Sequence, residues 1–220
     1  HFYKRNLVTY NMGAERDQTM TLKTNKERCT EMSAGYHSNF PIETLTSAEY
    51  LRNIENGAVE YTLIDVRSPA EQKVSMIPNA ITLKDFESEF KRDPTPWIGK
   101  SEDETPPKTV VTYCTIGYRS GVEAQRMKSQ YHIPNVKNLD GIVCYTHACS
   151  EITKSNGETC VELIEPRSKQ TTSKVHVFGS SWNYACNDFT TVWFSKLDMA
   201  IRGIAVMFKS FRVKVCSCCQ

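Results

Sequence analysis

Short apolar segments alternate along this chain with helical patterns, and this alternation limits the fold more than any other feature. Four segments have the composition of buried strands: 61–67, 80–83, 109–113 and 136–139. Helix starts or helical patterns occupy the intervals: 46–58, 68–71, 85–90 and 120–131. Strands that alternate with helices predict an α/β protein with a doubly wound, mainly parallel sheet and helices on both faces.

The starts of two helices are marked by capping residues. Thr46 and Glu49 have the spacing of a capping box, and Ser68 followed by Pro69 is typical of an N-cap and a first helical position. In the helix 120–131, we expect Val122, Ala124, Met127 and Tyr131 to face inward. The four prolines and the acidic cluster within 93–107 predict a surface loop.

The chain divides into three predicted regions. They are an N-terminal arm or extension (1–41), an α/β domain (42–150), and a C-terminal extension (151–220) that packs on the core and ends in a cysteine-rich tail. Within the last region, 161–164 and 174–178 have strand-like composition, and 197–215 is apolar with interspersed basic residues.

Charge and cysteine content narrow the functional classes. The net charge of +2 gives no support for nucleic-acid binding. Nine unevenly spaced cysteines indicate neither a disulfide framework nor a zinc site, so we predict a reducing compartment and no metal. No apolar run approaches the ~18 residues of a membrane span. We expect an intracellular, cytoplasmic protein; organellar targeting stays open because the first residue is His1.

The loop 114–119 carries the chemistry that the sequence predicts. Cys114 directly follows one predicted strand, and ligands of a parallel sheet bind beyond such strand ends. Loop N–H groups that lead into a helix can stabilise a thiolate, and Gly117 permits the tight turn. Cys114 alone would better suit a buried, inert thiol. Its combination with Gly117 and Arg119 predicts a catalytic nucleophile. The predicted binding loop consists of Thr115, Ile116, Gly117, Tyr118 and Arg119.

This loop resembles the C-x-x-G-x-R active-site loop of the rhodanese family. Residues 65–71 resemble the family's D-V-R-x-x-x-E segment, residues 77–80 its H-I-P-G-A turn, and residues 138–141 its L-x-G-G element. The resemblance covers roughly residues 42–150 and implies a rhodanese-type sheet. The sequence departs from the family pattern at Ser75-Met76, Asn79 and Tyr145, which affects turns and packing more than the loop.

The resemblance implies a sulfurtransferase without a cofactor. Cys114 would take the outer sulfur of a small anionic donor such as thiosulfate, form a persulfide, and pass the sulfur to a thiol or to cyanide. Loop amides would hold the persulfide, and Arg119 would attract the donor. Asp65 and Arg67 are expected to support neighbouring loops by hydrogen bonds, with Glu71 paired to Arg67.

Two other functions stay open. Related cysteine-dependent phosphatases and arsenate reductases have five residues between Cys and Arg, whereas four separate Cys114 from Arg119, and position 120 is Ser120. The shorter loop favours sulfur. A rhodanese-like regulatory or binding module with little turnover is the second alternative.

Cysteines outside the loop allow weaker interpretations. Cys144 follows the fourth strand and is either a thiol that resolves a persulfide or a core residue. Cys216, Cys218 and Cys219 lie beside basic and apolar residues, which would suit an acylated membrane anchor or an amphipathic helix with a frayed tail.

Overall fold

The computed structural model describes residues 23–57, 59–99, 106–156 and 163–193. Its centre is a sheet of five parallel strands in the order β1-β5-β4-β2-β3. These strands are β1 (Glu43–Leu45), β2 (Tyr61–Asp65), β3 (Ile81–Thr82), β4 (Thr109–Tyr113) and β5 (Val136–Leu139). The predicted doubly wound α/β sheet is confirmed.

Helices cover both faces of this sheet. They are α1 (Asn25–His37), α2 (Ser47–Glu55), α3 (Pro69–Gln72), α4 (Leu83–Arg92), α5 (Thr95–Ile98), α6 (Tyr118–Gln130) and α7 (Ile142–Asn156). Neighbouring strand residues alternate between two apolar clusters, because successive side chains of a strand point to opposite faces. Leu63 and Val111 belong to the cluster under α1, α2 and α7. Ile64 and Val110 belong to the cluster under α4, α5 and α6.

Capping boxes begin two predicted helices and one that the sequence did not reveal. Thr46 and Glu49 cap α2, and the carboxylate of Glu71 accepts from the N–H of Ser68 at 2.9 Å at the start of α3. An equivalent box at Thr24 begins α1. Helix α1 therefore lies in the region predicted as an N-terminal arm or extension, and neither α1 nor strand β1 was predicted from the sequence.

Two expectations about local structure are wrong. The segment 93–107 is not only a loop, because it contains α5, whose Trp97 is buried and donates to Thr62 Oγ1 at 3.0 Å. In α6, Val122 points outward and is 48% exposed. Small residues, Ser120 and Gly121, take its place on the buried face.

The described part of the C-terminal region is anchored to the domain. Strands β6 (Leu163–Ile164) and β7 (Thr171–Thr172) pair antiparallel, and β8 (Lys174–His176) and β9 (Thr190–Val192) pair parallel. Val175 and Val177 are fully buried in the core cluster under α1, α2 and α7. The predicted apolar segment 197–215 and the cysteine-rich tail lie outside the described residues.

None of the helices in the described ranges has the length and apolarity needed to cross a membrane.

Candidate active site

The predicted loop lies at the carboxyl end of the central strand β4. Cys114 follows Tyr113, the last residue of β4, and α6 begins at Tyr118. Gly117 has a φ of 97°, a left-handed conformation that favours glycine. A Cβ on Gly117 would lie 2.3 Å from Nε2 of His37 in α1. Both the turn and the close contact with α1 therefore require glycine at this position.

The thiol of Cys114 is buried at the base of the loop. Its Sγ accepts from the backbone N–H of Gly117 at 3.2 Å and from the hydroxyl of Ser120 at 3.4 Å. The Gly117 N–H is one of the loop amides that the sequence analysis expects to stabilise a thiolate. The hydrogen bond from Ser120 to Cys114 was not predicted, because Ser120 is notable in the sequence only as the position where a longer loop would need arginine. Both donors are placed to stabilise negative charge on sulfur.

Residues in the first turn of α7 and in strand β5 donate hydrogen bonds to the carbonyl oxygens of the loop. The N–H groups of Ile142 and Val143 donate to the carbonyl oxygens of Cys114 and Thr115 at 2.9 and 3.2 Å. Asn138 Nδ2 donates to the carbonyl of Gly117 at 2.8 Å. The loop geometry is therefore fixed by two backbone N–H groups of α7 and the side-chain amide of Asn138, which keeps the thiol in place.

Arg119 closes the loop by pairing with α3. Its Nη1 and Nη2 donate to the two carboxylate oxygens of Glu71 at 2.8 and 2.7 Å, and Nη2 also donates to Thr115 Oγ1 at 3.0 Å. Burial alone would raise the pKa of Glu71, but the hydrogen bonds and charge of Arg119 outweigh this and lower that pKa to about 2. The expected pairing of Glu71 with Arg67 is wrong: the partner of Glu71 is Arg119, which lies 48 positions away in sequence.

Asp65 and Arg67 form a separate buried ion pair. Arg67 donates to Asp65 Oδ2 at 2.6 Å and to the carbonyl of Ser75 at 2.6 Å. The hydroxyl of Tyr113 donates to the same carboxylate at 2.7 Å. Burial and the charge of Asp65 raise the pKa of Tyr113 well above its usual value, so the phenol remains a donor. This pair ties the end of β4 to the segment after β2, next to the loop.

A cavity of about 320 Å³ opens above Cys114. Its lining residues are Tyr36, Cys114, Thr115, Ile116, Tyr118, Arg119, Phe178 and Trp182. All predicted loop residues except Gly117 are among them. Tyr36, Phe178 and Trp182 were not foreseen, because they belong to the N- and C-terminal regions and have no motif that links them to the loop.

Cys144 lies in a second group of buried side chains. Its thiol hydrogen-bonds with Cys29 of α1, and His147 also contacts Cys29. Hydrogen bonds from Cys144 and His147 lower the pKa of the Cys29 thiol, although burial opposes this. The structure thus places Cys144 in the core against α1, and this agrees with the core interpretation of its role. In the four described ranges, no group of three or more His, Cys, Asp or Glu residues could hold a metal ion.

The sheet, the strand-to-helix loop and its cysteine define an α/β domain with a thiol-centred site. Residues 46–143 match the family described as Rhodanese-like domain. This part of the chain is a rhodanese-like domain, as the sequence motifs indicated.

Several solved structures are similar to the chain. A protein of unknown function from Rhodopseudomonas palustris, described as a possible tyrosine phosphatase, is 24% identical with a TM-score of 0.38; the match covers 60% of this chain and 94% of that one. A rhodanese-related protein from Thermoplasma volcanium is 26% identical with a TM-score of 0.33, over 48% and 91%. Thiosulfate sulfurtransferase from Pseudomonas aeruginosa is 21% identical with a TM-score of 0.39, over 56% and 22%. No curated protein matches the chain.

Proposed function

We propose that the chain is a sulfurtransferase that carries a sulfane sulfur on Cys114. The observation that carries the proposal is the position of Cys114 Sγ, which borders an open cavity while Gly117 N–H and Ser120 O–H both donate to it. A thiolate held in this way is a nucleophile that needs no separate general base.

The reaction divides into two sulfur transfers. The Cys114 thiolate attacks the outer sulfur of thiosulfate; a new S–S bond forms, the S–S bond of the donor breaks, and sulfite leaves with the bonding electron pair. The Cys114 persulfide anion is then attacked at its outer sulfur by an acceptor such as cyanide. Thiocyanate leaves and the thiolate is restored. The donors at Gly117 and Ser120 would stabilise the sulfur anion at each stage.

The length of the loop favours sulfur over phosphate. Four residues separate Cys114 from Arg119, and both guanidinium donors of Arg119 that face α3 are engaged by Glu71. A phosphate that bound in the loop would need those donors for its own oxygens. The position after Arg119 is Ser120, whose hydroxyl contacts the thiol instead.

The mass of the intact protein after incubation with thiosulfate tests the proposal. Wild-type protein should gain one sulfur and lose it to cyanide as thiocyanate. Cys114→Ala should gain none. Cys186→Ala is the matched control, since Cys186 is a partly exposed thiol outside the cavity, and this variant should be labelled like the wild type.

Two outcomes would contradict the proposal. Labelling of Cys114→Ala to the wild-type extent would place the reactive thiol elsewhere. A wild-type protein that takes no sulfur and forms no thiocyanate would instead support a binding or regulatory module.

A further inference from the structure

The cavity above Cys114 has a wall of four aromatic side chains, which we call the aromatic wall: Tyr36, Tyr118, Phe178 and Trp182. Tyr36 and Tyr118 meet edge to face with ring centroids 5.5 Å apart, and Phe178 and Trp182 lie 5.9 Å apart. Tyr118 and Phe178 are each 49% exposed. A cluster of large apolar groups that remains open to solvent commonly marks a binding surface.

The structure holds Phe178 in place. Val175 and Val177 on its N-terminal side are fully buried, and Val177 N–H donates to the carbonyl of Val192 at 2.9 Å. Phe178 directly follows these anchored residues and also packs under the guanidinium of Arg119 at 5.8 Å. Phe178 is therefore held in its place in the aromatic wall, which lowers the cost of ordering this side chain when a ligand binds.

The charge of the lining does not favour a small dianion. Arg119 is the one charged side chain among the described lining residues, and its positive charge is compensated by the bidentate contact with Glu71. A compact dianion such as thiosulfate would gain little from this pair and would leave the aromatic wall exposed. A singly charged donor with an aromatic body would bury that wall.

We propose that the preferred sulfur donor is a singly charged organic sulfane compound with an aromatic group, which binds against the aromatic wall. This inference rests on the proposed sulfurtransferase function and specifies its substrate class. Phe178 and Trp182 determine specificity, and the loop performs the transfer.

An aryl thiosulfonate represents this class of donor. The Cys114 thiolate attacks the terminal sulfur, the bond between that sulfur and the sulfonyl sulfur breaks, and the arylsulfinate leaves with the electron pair. One negative charge then resides on the persulfide and one on the sulfinate, so charge and atoms balance. The aromatic ring would remain against Phe178 and Trp182 until the sulfinate departs.

The test compares kcat/KM for benzenethiosulfonate and methanethiosulfonate, which share the reactive group and differ in the aromatic body. The ratio of the two values is measured in wild-type protein and in variants, so intrinsic reactivity cancels. Phe178→Ala should lower the ratio about three- to tenfold. Trp182→Phe should retain most of the wild-type ratio, because phenylalanine keeps an aromatic ring at this position. Trp193→Ala is the matched control: Trp193 is as exposed as Phe178, belongs to the same region and does not line the cavity.

Each result decides the inference. A ratio that falls in Phe178→Ala and stays at the wild-type value in Trp193→Ala supports it. A ratio that is equal in wild type and Phe178→Ala, with sulfur still transferred to Cys114, overturns the donor class and leaves the sulfurtransferase function standing. If thiosulfate and both thiosulfonates leave no sulfur on Cys114, the proposed function fails and the donor class fails with it.

Discussion

Arg119 and Glu71 join the loop 114–119 to helix α3 through two parallel hydrogen bonds of 2.8 and 2.7 Å. The carboxylate is almost fully buried, whereas 38% of the Arg119 side chain is exposed. Glu71 also caps its own helix through Ser68. One side chain therefore fixes both the start of α3 and the end of the loop.

Replacement of Glu71 by Gln should lower the free energy of unfolding by about 1 to 2 kcal/mol. The loss should be smaller than the roughly 3 to 5 kcal/mol of a fully buried broken pair, because Arg119 stays partly solvated. Urea denaturation of the wild type and the variant measures this change in the free energy of unfolding. Glu151→Gln, which breaks the exposed contact with Lys26, is the control and should change stability by less than about 0.5 kcal/mol. Equal effects of the two variants would contradict this account.

Glu71 should also contribute to the acid sensitivity of the fold. Its folded pKa of about 2 lies below the ordinary value of 4.5, so its contribution is fully present above pH 4.5 and is lost as the pH falls towards 2. The wild type should lose more stability between about pH 5 and about pH 3 than Glu71→Gln does. Denaturation curves at the two pH values provide the comparison, and identical slopes would refute the role of Glu71.

Asp140 should make the stability of the fold decline as the pH rises, which is opposite in sign to the effect of Glu71. Burial raises its pKa from 3.8 to about 7, although the N–H and hydroxyl of Ser47 both donate to the carboxylate. A raised pKa stabilises the fold at low pH, and this contribution is lost as the pH rises through about 7. Asp140→Asn keeps an acceptor for Ser47 and should flatten the decline in stability between about pH 5 and about pH 7.

The control for Asp140 is Asp188→Asn. Hydrogen bonds from Ser150 and Lys154 lower the pKa of Asp188, so it does not titrate near neutral pH. This variant should keep the wild-type slope between about pH 5 and about pH 7. A flattened slope in Asp188→Asn, or an unchanged one in Asp140→Asn, would show that another group is responsible.

Gly117→Ala should destabilise the protein by about 1 to 3 kcal/mol, because the left-handed backbone and the ring of His37 both oppose a Cβ. The same change should slow persulfide formation, since the Gly117 N–H donates to Cys114 Sγ. Thermal unfolding and sulfur labelling measure the two effects. Gly35→Ala in α1 is the control, since an added Cβ there meets nothing within 4 Å, and it should be neutral or mildly stabilising. A stable and fully active Gly117→Ala would contradict the geometry.

The sequence was sufficient to predict four of the five strands of the sheet and the loop, because their signals are local. A β-branched strand, a cysteine at its end and Gly117 in the turn lie within nine residues of one another. Strand β1 and helix α5 escaped prediction because they have three and four residues, too few to show a period. Helix α1 escaped because its buried face contains Cys29, Ser33 and His37 rather than large apolar residues.

Contacts across the chain could not be predicted from local patterns. Glu71 was assigned to Arg67, its near neighbour in sequence, but folding brings it to Arg119. Val122 was placed inside α6 by its apolar character. The inner face instead passes through Gly121, where a Cβ would lie 2.3 Å from the ring of Phe40, so only a residue without a side chain fits. Close approach of a bulky side chain to the backbone of a helix selects small residues, and apolar periodicity does not reveal it.

The contact between His37 and Gly117 has a consequence for where this chain can be truncated. The similarity to rhodanese-like domains begins at residue 46, yet the surface that fits against the turn of the loop belongs to α1, which ends at His37. A fragment trimmed to residues 46–143 would retain Cys114 and the whole motif. It would lack the ring that covers Gly117 as well as Tyr36, Phe178 and Trp182 around the cavity. We therefore expect the smallest unit with the proposed activity to be longer on both sides than the region of family similarity.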